Sequence, residues 1–292
     1  MTNTLHRFGT PETQREDYIV FAMPSKGINE EGATPKLQTF LRLALKHGPV
    51  NVGQGSRGGM YRPSPNLTPF AHWSRPAGAN PETVLAEMDE PSTVAAVFDD
   101  VAKVEALLRD VKAADLGLSI NISGLTAEAN ACCKRVGITR HSVEYSLGFH
   151  GDLNQLPDRH VLELSTMCGH GMLSHNFALK MFDMVRENRR TPQQAATTMA
   201  RFCKCGIFNV ARAVRVLEQW KHPRQYLPPF SKPCSRHLRW PLLSSTARGG
   251  LPCGIGLPSE SSGGANPRCW DSAPPTCPTI CRAIFWRYAS GS

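Results

Sequence analysis

The sequence predicts an α/β or α+β fold: a small sheet with packed helices, followed by a helical C-terminal segment. Three observations carry that expectation. Short apolar runs rich in β-branched and aromatic residues alternate with amphipathic stretches through residues 1–155, residues 156–220 keep only helical periodicity, and residues 221–292 lose periodicity altogether. The expected units are therefore an α/β domain at 1–155, a helical segment at 156–220 and a disordered, low-complexity basic tail at 221–292.

"DYIVFAMPS" (17–25) is a buried strand ended by Pro24. The next helix takes Thr34 as its N-cap and Pro35 at its first position, with Leu37, Phe40, Leu41, Ala44 and Leu45 on one stripe and Gly48-Pro49 as its stop. Val94 to Phe98 reads as a strand, Asp99 or Asp100 as a cap, Val101 to Ala114 as a helix and Leu118 to Ile122 as a strand. An uninterrupted helix from Ser92 is the competing parse, and the two aspartates decide against it by giving the later helix a start. "TAEANACCKRVGI" makes a further helix stopped by Gly137, and "HSVEYSLGF" a further strand. Alternation of this kind packs helices on a sheet.

"PDRHVLELSTM" suits either a helix opened by Pro157 or a strand. Phe177, Ala178, Met181, Phe182 and Val185 then repeat at helical spacing. Thr191-Pro192-Gln193-Gln194 is a capping box that opens a helix running to Phe202, and Asn209 caps a last helix bearing Val210, Ala213, Val214 and Leu217.

The net charge of +9 does not by itself indicate a nucleic-acid partner. From Lys221 onward there are nine Lys/Arg against Glu260 and Asp271, so seven of the nine net charges lie on the tail and residues 1–220 are nearly neutral. A phosphate-binding surface needs cations fixed on a folded face. The tail is dense in Pro, Gly, Ser, Arg and Cys, the composition of either a native disordered segment or one read from a shifted frame. Its cysteines (Cys234, Cys253, Cys269, Cys277, Cys281) have no repeated C-x2-C pair to suggest zinc. No run of about 18 apolar residues occurs and the N-terminus lacks the order of a secretory signal, so a cytoplasmic protein with reduced thiols and no membrane partner is expected. The remaining partner classes are a small molecule or a protein.

Gly53, Gly55 and Gly58 match the G-x-G-x-x-G spacing of a dinucleotide loop, but Pro63, Pro65 and Pro69 forbid the helix whose N-terminal amides would hold a pyrophosphate. A structural or site-covering loop is the better reading, with Arg57 and Arg62 available for an anion. No Walker loop and no Asp-x-Asp constellation is present, which disfavours nucleoside triphosphate use and two-metal hydrolysis.

The chemistry concentrates in "STMCGHGMLSH" (165–175) and "RFCKCGIFN" (201–209). Both fall at helix ends, and antiparallel helices with short loops return every second turn to one end of the group. Cys168 and His170 should therefore meet Cys203 and Cys205, and three cysteines with one histidine form a complete tetrahedral set for zinc. An iron-sulfur cluster fits three thiolates equally well. The alternative reading is a thiol-redox or covalent-catalysis enzyme. It takes "VLELSTM" as a strand and puts Cys168 at a strand-to-helix turn, with Cys203 or Cys205 as the resolving thiol. A third is a binding or assembly protein with structural zinc.

Cys132 and Cys133 read as core residues. His141, His150, His160 and His175 read as ordinary satisfied histidines, and Glu144 and Glu163 as solvent-facing residues near strand ends. A glycine loop "GQGSRGGMYRP" near the metal would favour an enzyme site, and one far from it a structural ion.

Overall fold

The computed structural model describes residues 6–61, 80–145, 149 and 152–221, together with the backbone of 282–286. The chain divides into two units, Met1–Pro223 with Pro278–Ser292, and Arg224–Cys277; the second lies outside the described residues.

A short helix α1 (Pro11–Gln14) with a Thr10/Thr13 capping box leads into strand β1 (Tyr18–Met23), which is buried on both faces. Helix α2 (Ala33–Lys46) starts earlier than its sequence suggests. Its N-cap is Gly32 in the left-handed region, and Thr34 lies inside the first turn without capping it. The tight turn at Gly32 makes this start possible, because glycine takes φ of 69° without a Cβ penalty.

Strands β2 (Asn51–Gln54) and β3 (Gly58–Gly59), helix α3 (Pro81–Ala86), strand β4 (Val94–Phe98), helix α4 (Val101–Ala114), strand β5 (Ser119–Gly124), helix α5 (Thr126–Val136) and strand β6 (Ser142–Tyr145) follow. Asp100 caps α4 by accepting from the Ala102 amide at 2.8 Å, which settles the parse of this stretch in favour of strand then helix. Four further helices, α6 (Arg159–Ser165), α7 (His175–Arg186), α8 (Pro192–Ala200) and α9 (Val210–Lys221), complete this part of the chain. The ambiguous 157–167 stretch is thus helical. The capping box at Thr191 and Gln194 forms as its spacing predicts, and Asn209 Oδ1 caps α9 by accepting from the Arg212 amide at 2.8 Å.

The sheet order is β3-β2-β4-β1-β5-β7-β6, where β7 is Arg282–Trp286, and every neighbouring pair is antiparallel. Within it, β1-α2-β2 and β4-α4-β5 interleave as a split βαβ arrangement, with β4 inserted between β1 and β2. The tail expected to stand apart from the body contributes β7, which pairs Ile284 with Ile122 on one side and Val143 on the other. The rest of the tail lies outside the described residues.

Period-two alternation divides the sheet between two cores. Tyr18, Val20 and Ala22 of β1 join Val94, Ala96 and Phe98 of β4 against α2, α4 and α5. Ile19, Phe21, Ala95 and Val97 face the other way, onto α6 to α9. Cys132 and Cys133 are fully buried in the first core, as expected of small apolar side chains.

Two contacts hold the helical layer in place. One is electrostatic. The Asp17 carboxylate, fully buried, pairs with Arg7 and with Arg212 (2.7 Å), and its other oxygen accepts from Asn209 Nδ2 at 2.9 Å. Arg212 also reaches the Phe8 carbonyl at 2.9 Å and lies 3.6 Å from Glu163, which Arg159 pairs from the preceding turn. Glu163 is therefore a buried helical residue in an ion network, not a solvent-facing strand residue.

The other contact is steric. Gly206 sits at φ 68° against the backbones of Gly53 and Gly59. A Cβ on Gly53 would fall on the Cys205 carbonyl and the Gly206 Cα, and one on Gly59 would fall on Gly206. Glycine at all three positions lets the turn after Cys205 lie directly on the β2–β3 hairpin.

Both contacts are testable. Burial alone would raise the Asp17 pKa, but the charges of Arg7 and Arg212 and the hydrogen bonds from Arg212 and Asn209 outweigh it and lower it. The unfolded value is about 3.9, so this stabilisation is complete above that pH and is lost as pH falls through the lower folded value. Asp17→Asn is expected to cost ~3–5 kcal/mol at pH 7, because it removes the buried carboxylate that Arg7 and Arg212 share. The variant's urea midpoint should then change less than the wild type's between pH 6 and pH 3; equal acid dependence would contradict the assignment. Gly206→Ala is expected to lower stability by ~2–4 kcal/mol through left-handed strain and overpacking. An unchanged midpoint would mean the hairpin does not carry the turn.

Candidate metal centre

Two connections supply the site: residues 166–174 between α6 and α7, and residues 201–209 between α8 and α9. The first is tight because Gly169 and Gly171 take φ of 74° and 66°, and the Gly169 amide closes a turn onto the Thr166 carbonyl at 2.8 Å. The N-terminal arm braces it from outside. The His6 amide donates to the Gly169 carbonyl at 3.2 Å, and the Phe8 amide donates to Thr166 Oγ1 at 2.9 Å. The second connection turns at Gly206, whose amide donates to the Cys203 carbonyl at 3.1 Å, and Asn51 Nδ2 anchors it through the Phe208 carbonyl at 2.9 Å.

These turns bring one ligand atom each from Cys168, His170 and Cys205 within 4.8 Å of one another, a group that could hold a metal ion. His170 Nδ1 lies 3.2 Å from Cys205 Sγ. Cys203 Sγ lies 3.3 Å from Cys205 Sγ and shares a hydrogen bond with Cys168. Three of the four residues expected at this end of the helical group thus form the grouping, and Cys203 lies next to two of them without belonging to it. Cys168 and Cys203 are buried at 2% and 4% exposure, while His170 and Cys205 reach the surface.

The three sulfurs are electrostatically unequal. Hydrogen bonds from Cys203 and Cys205, helped by His170 and opposed by burial, hold Cys168 well below the usual thiol range. The same bond to Cys168, followed by that to Cys205 and by burial, pushes Cys203 well above it. Cys168 is thus the most acidic thiol of the group, and its neighbours are the donors that lower its pKa. Its placement between two helices removes the strand-to-helix turn on which the thiol-enzyme reading was built. None of the five described cysteines is in a disulfide.

The other candidates have ordinary roles. His175 Nδ1 pairs with Ser165 Oγ at 2.8 Å, His160 makes tilted ring contacts with Phe182 and Trp220, and His141 meets Ser142. His150 and Arg62 lie outside the described residues. Arg57 pairs with Asp89 rather than lining an anion site. Glu144 is exposed. The glycine loop lies close to the site, as the contacts of Gly53 and Gly59 with Cys205 and Gly206 require.

Sequence reasoning missed two residues here. Met172 places its sulfur 3.9 Å from Cys205 Sγ; it belongs to the same short motif, but methionine carries no ligand signal of its own. Asp17 was visible as a charged residue directly before a buried strand, a position where burial with a counter-charge is the ready explanation. No helix among the described residues is long and apolar enough to cross a membrane. Comparison of the chain with protein-family models, with curated protein sequences and with solved structures found no match.

Proposed function

We propose that this protein binds one thiophilic metal ion through Cys168, His170 and Cys205, that Cys203 completes the set, and that the ion is zinc in a structural role. The observation that carries this reading is the 4.8 Å grouping of three ligand atoms drawn from two separate turns. Tetrahedral zinc with Zn–S bonds of about 2.3 Å separates its sulfurs by about 3.8 Å. The 3.3 Å between Cys203 and Cys205 needs only a small expansion to meet that. An iron-sulfur cluster puts several atoms between its thiolates and needs them farther apart, so the compact grouping favours a single ion.

Three cysteines and one histidine leave no coordination position for a substrate, which supports a structural role. Closeness of the glycine hairpin was the feature expected of an enzyme site. Its contact is backbone on backbone, with no room for a methyl group, and acts as a seat for the Cys205 turn. The ion would join the α6–α7 and α8–α9 connections, and the protein would work as a binding or assembly module for a small molecule or protein partner. The absence of disulfides among the described cysteines accords with a reducing, cytoplasmic setting.

One observation favours a second reading, a thiol-dependent redox enzyme. Cys168 accepts hydrogen bonds from two further thiols, which lower its pKa. Its burial works against it, since attack on a substrate needs access.

Metal analysis of the anaerobically purified full-length chain separates these readings. The wild type is expected to hold one more equivalent of zinc than Cys168→Ser or Cys205→Ser, with no visible absorption band. Chelation should lower its urea midpoint, because ion binding to the folded state is linked to folding. A brown charge-transfer band would replace the ion with a cluster. Equal metal content in wild type and variants, with rapid alkylation of Cys168, would overturn the metal reading in favour of thiol chemistry.

A further inference from the structure

The four proposed zinc donors leave Met172 unexplained. Its thioether lies 3.9 Å from Cys205 Sγ, and the contact is open to solvent. Met172 is 39% exposed although the next residue, Leu173, is buried in the core, so the turn directs an apolar side chain outward at the edge of the site. Gly171, between His170 and Met172, takes φ of 66° and has open space where a Cβ would be. The edge of the centre is therefore accessible and carries three ligand atoms, with His170 Nδ1 at 3.2 Å and Met172 Sδ at 3.9 Å from Cys205 Sγ.

Zinc draws its protein ligands from thiolate, imidazole and carboxylate. A thioether contributes to sites for soft ions, of which cuprous copper is the first-row member. Methionine sulfur is polarizable and its side chain adapts readily to an incoming partner.

Resting on the metal-centre reading, we infer that the exposed edge formed by Cys205, His170 and Met172 accepts Cu(I) as an exchangeable ion. Cys205 and His170 belong to both ligand sets, so Cu(I) entry displaces zinc instead of adding to it. The step is ligand exchange without electron transfer. Copper arrives already cuprous from its chelator, the zinc bonds to Cys168, Cys203, Cys205 and His170 break, bonds form from copper to the Cys205 thiolate, His170 and Met172, and the freed Cys168 and Cys203 sulfurs take protons from solvent as zinc leaves.

The test uses the zinc-loaded full-length chain under anaerobic conditions, with Cu(I) supplied from a chromophoric chelator buffer and released zinc read with a second indicator. One zinc is expected to leave per chain as the tightest Cu(I) site fills. Met172→Leu, a conservative change at an exposed position, should keep its zinc and lose affinity for Cu(I) on the order of tenfold, comparable to losing one supporting group at a metal site. Copper uptake without zinc release, or equal Cu(I) affinity in wild type and Met172→Leu, would overturn the inference while leaving the zinc centre intact. A wild type that carries no zinc would overturn the centre itself, and the inference with it.

Discussion

The buried carboxylate of Asp17 is the interaction on which the arrangement of this protein depends. It lies at the start of β1 and gathers Arg7 from the N-terminal arm with Asn209 and Arg212 from the beginning of α9. Each partner is then committed to a second task. Arg7 also covers the polar face of β5 through Ser123, Asn209 caps α9, and Arg212 holds the Phe8 carbonyl and approaches Glu163 of α6. A charge at this depth is tolerable only when paired and hydrogen-bonded, which leaves few alternative packings of arm, strand and helices.

The geometry of the candidate centre follows from that constraint. The arm fixed by Arg7 supports the turn containing Cys168 and His170, through His6 and Phe8. The residue fixed by Asp17 on the other side, Asn209, ends the turn containing Cys203 and Cys205. Glycine backbones at 53, 59 and 206 set the depth to which that second turn sinks onto the sheet. These hydrogen bonds and backbone contacts position the two turns that carry the thiols. Their crowding, with Cys203 and Cys205 hydrogen-bonded to Cys168, is the arrangement that a cation would relieve.

Local signals were legible in the sequence, and distant ones were not. The Thr191 capping box, the Asp100 cap and the Asn209 cap each depend on residues within three positions, so spacing alone revealed them. Helix counting placed the two cysteine turns at one end because short loops constrain antiparallel neighbours. The start of α2 at Gly32 was hidden because a good capping residue, Thr34, stood nearby and the backbone turned earlier. Stretch 157–167 was ambiguous because its apolar residues fit either period; packing of Val161 and Leu164 into the second core decides it as helix. The Asp17 pairing joins residues up to 195 positions apart, and β7 joins strands more than 130 positions away, distances at which no sequence period operates.

The central claim, one ion held by Cys168, His170, Cys203 and Cys205, is tested most directly by X-ray absorption at the zinc edge of the loaded full-length protein. The account predicts a first shell of three sulfurs at about 2.3 Å and one nitrogen at about 2.0–2.1 Å. A shell of oxygen and nitrogen alone, or one of four sulfurs with no imidazole, would contradict it.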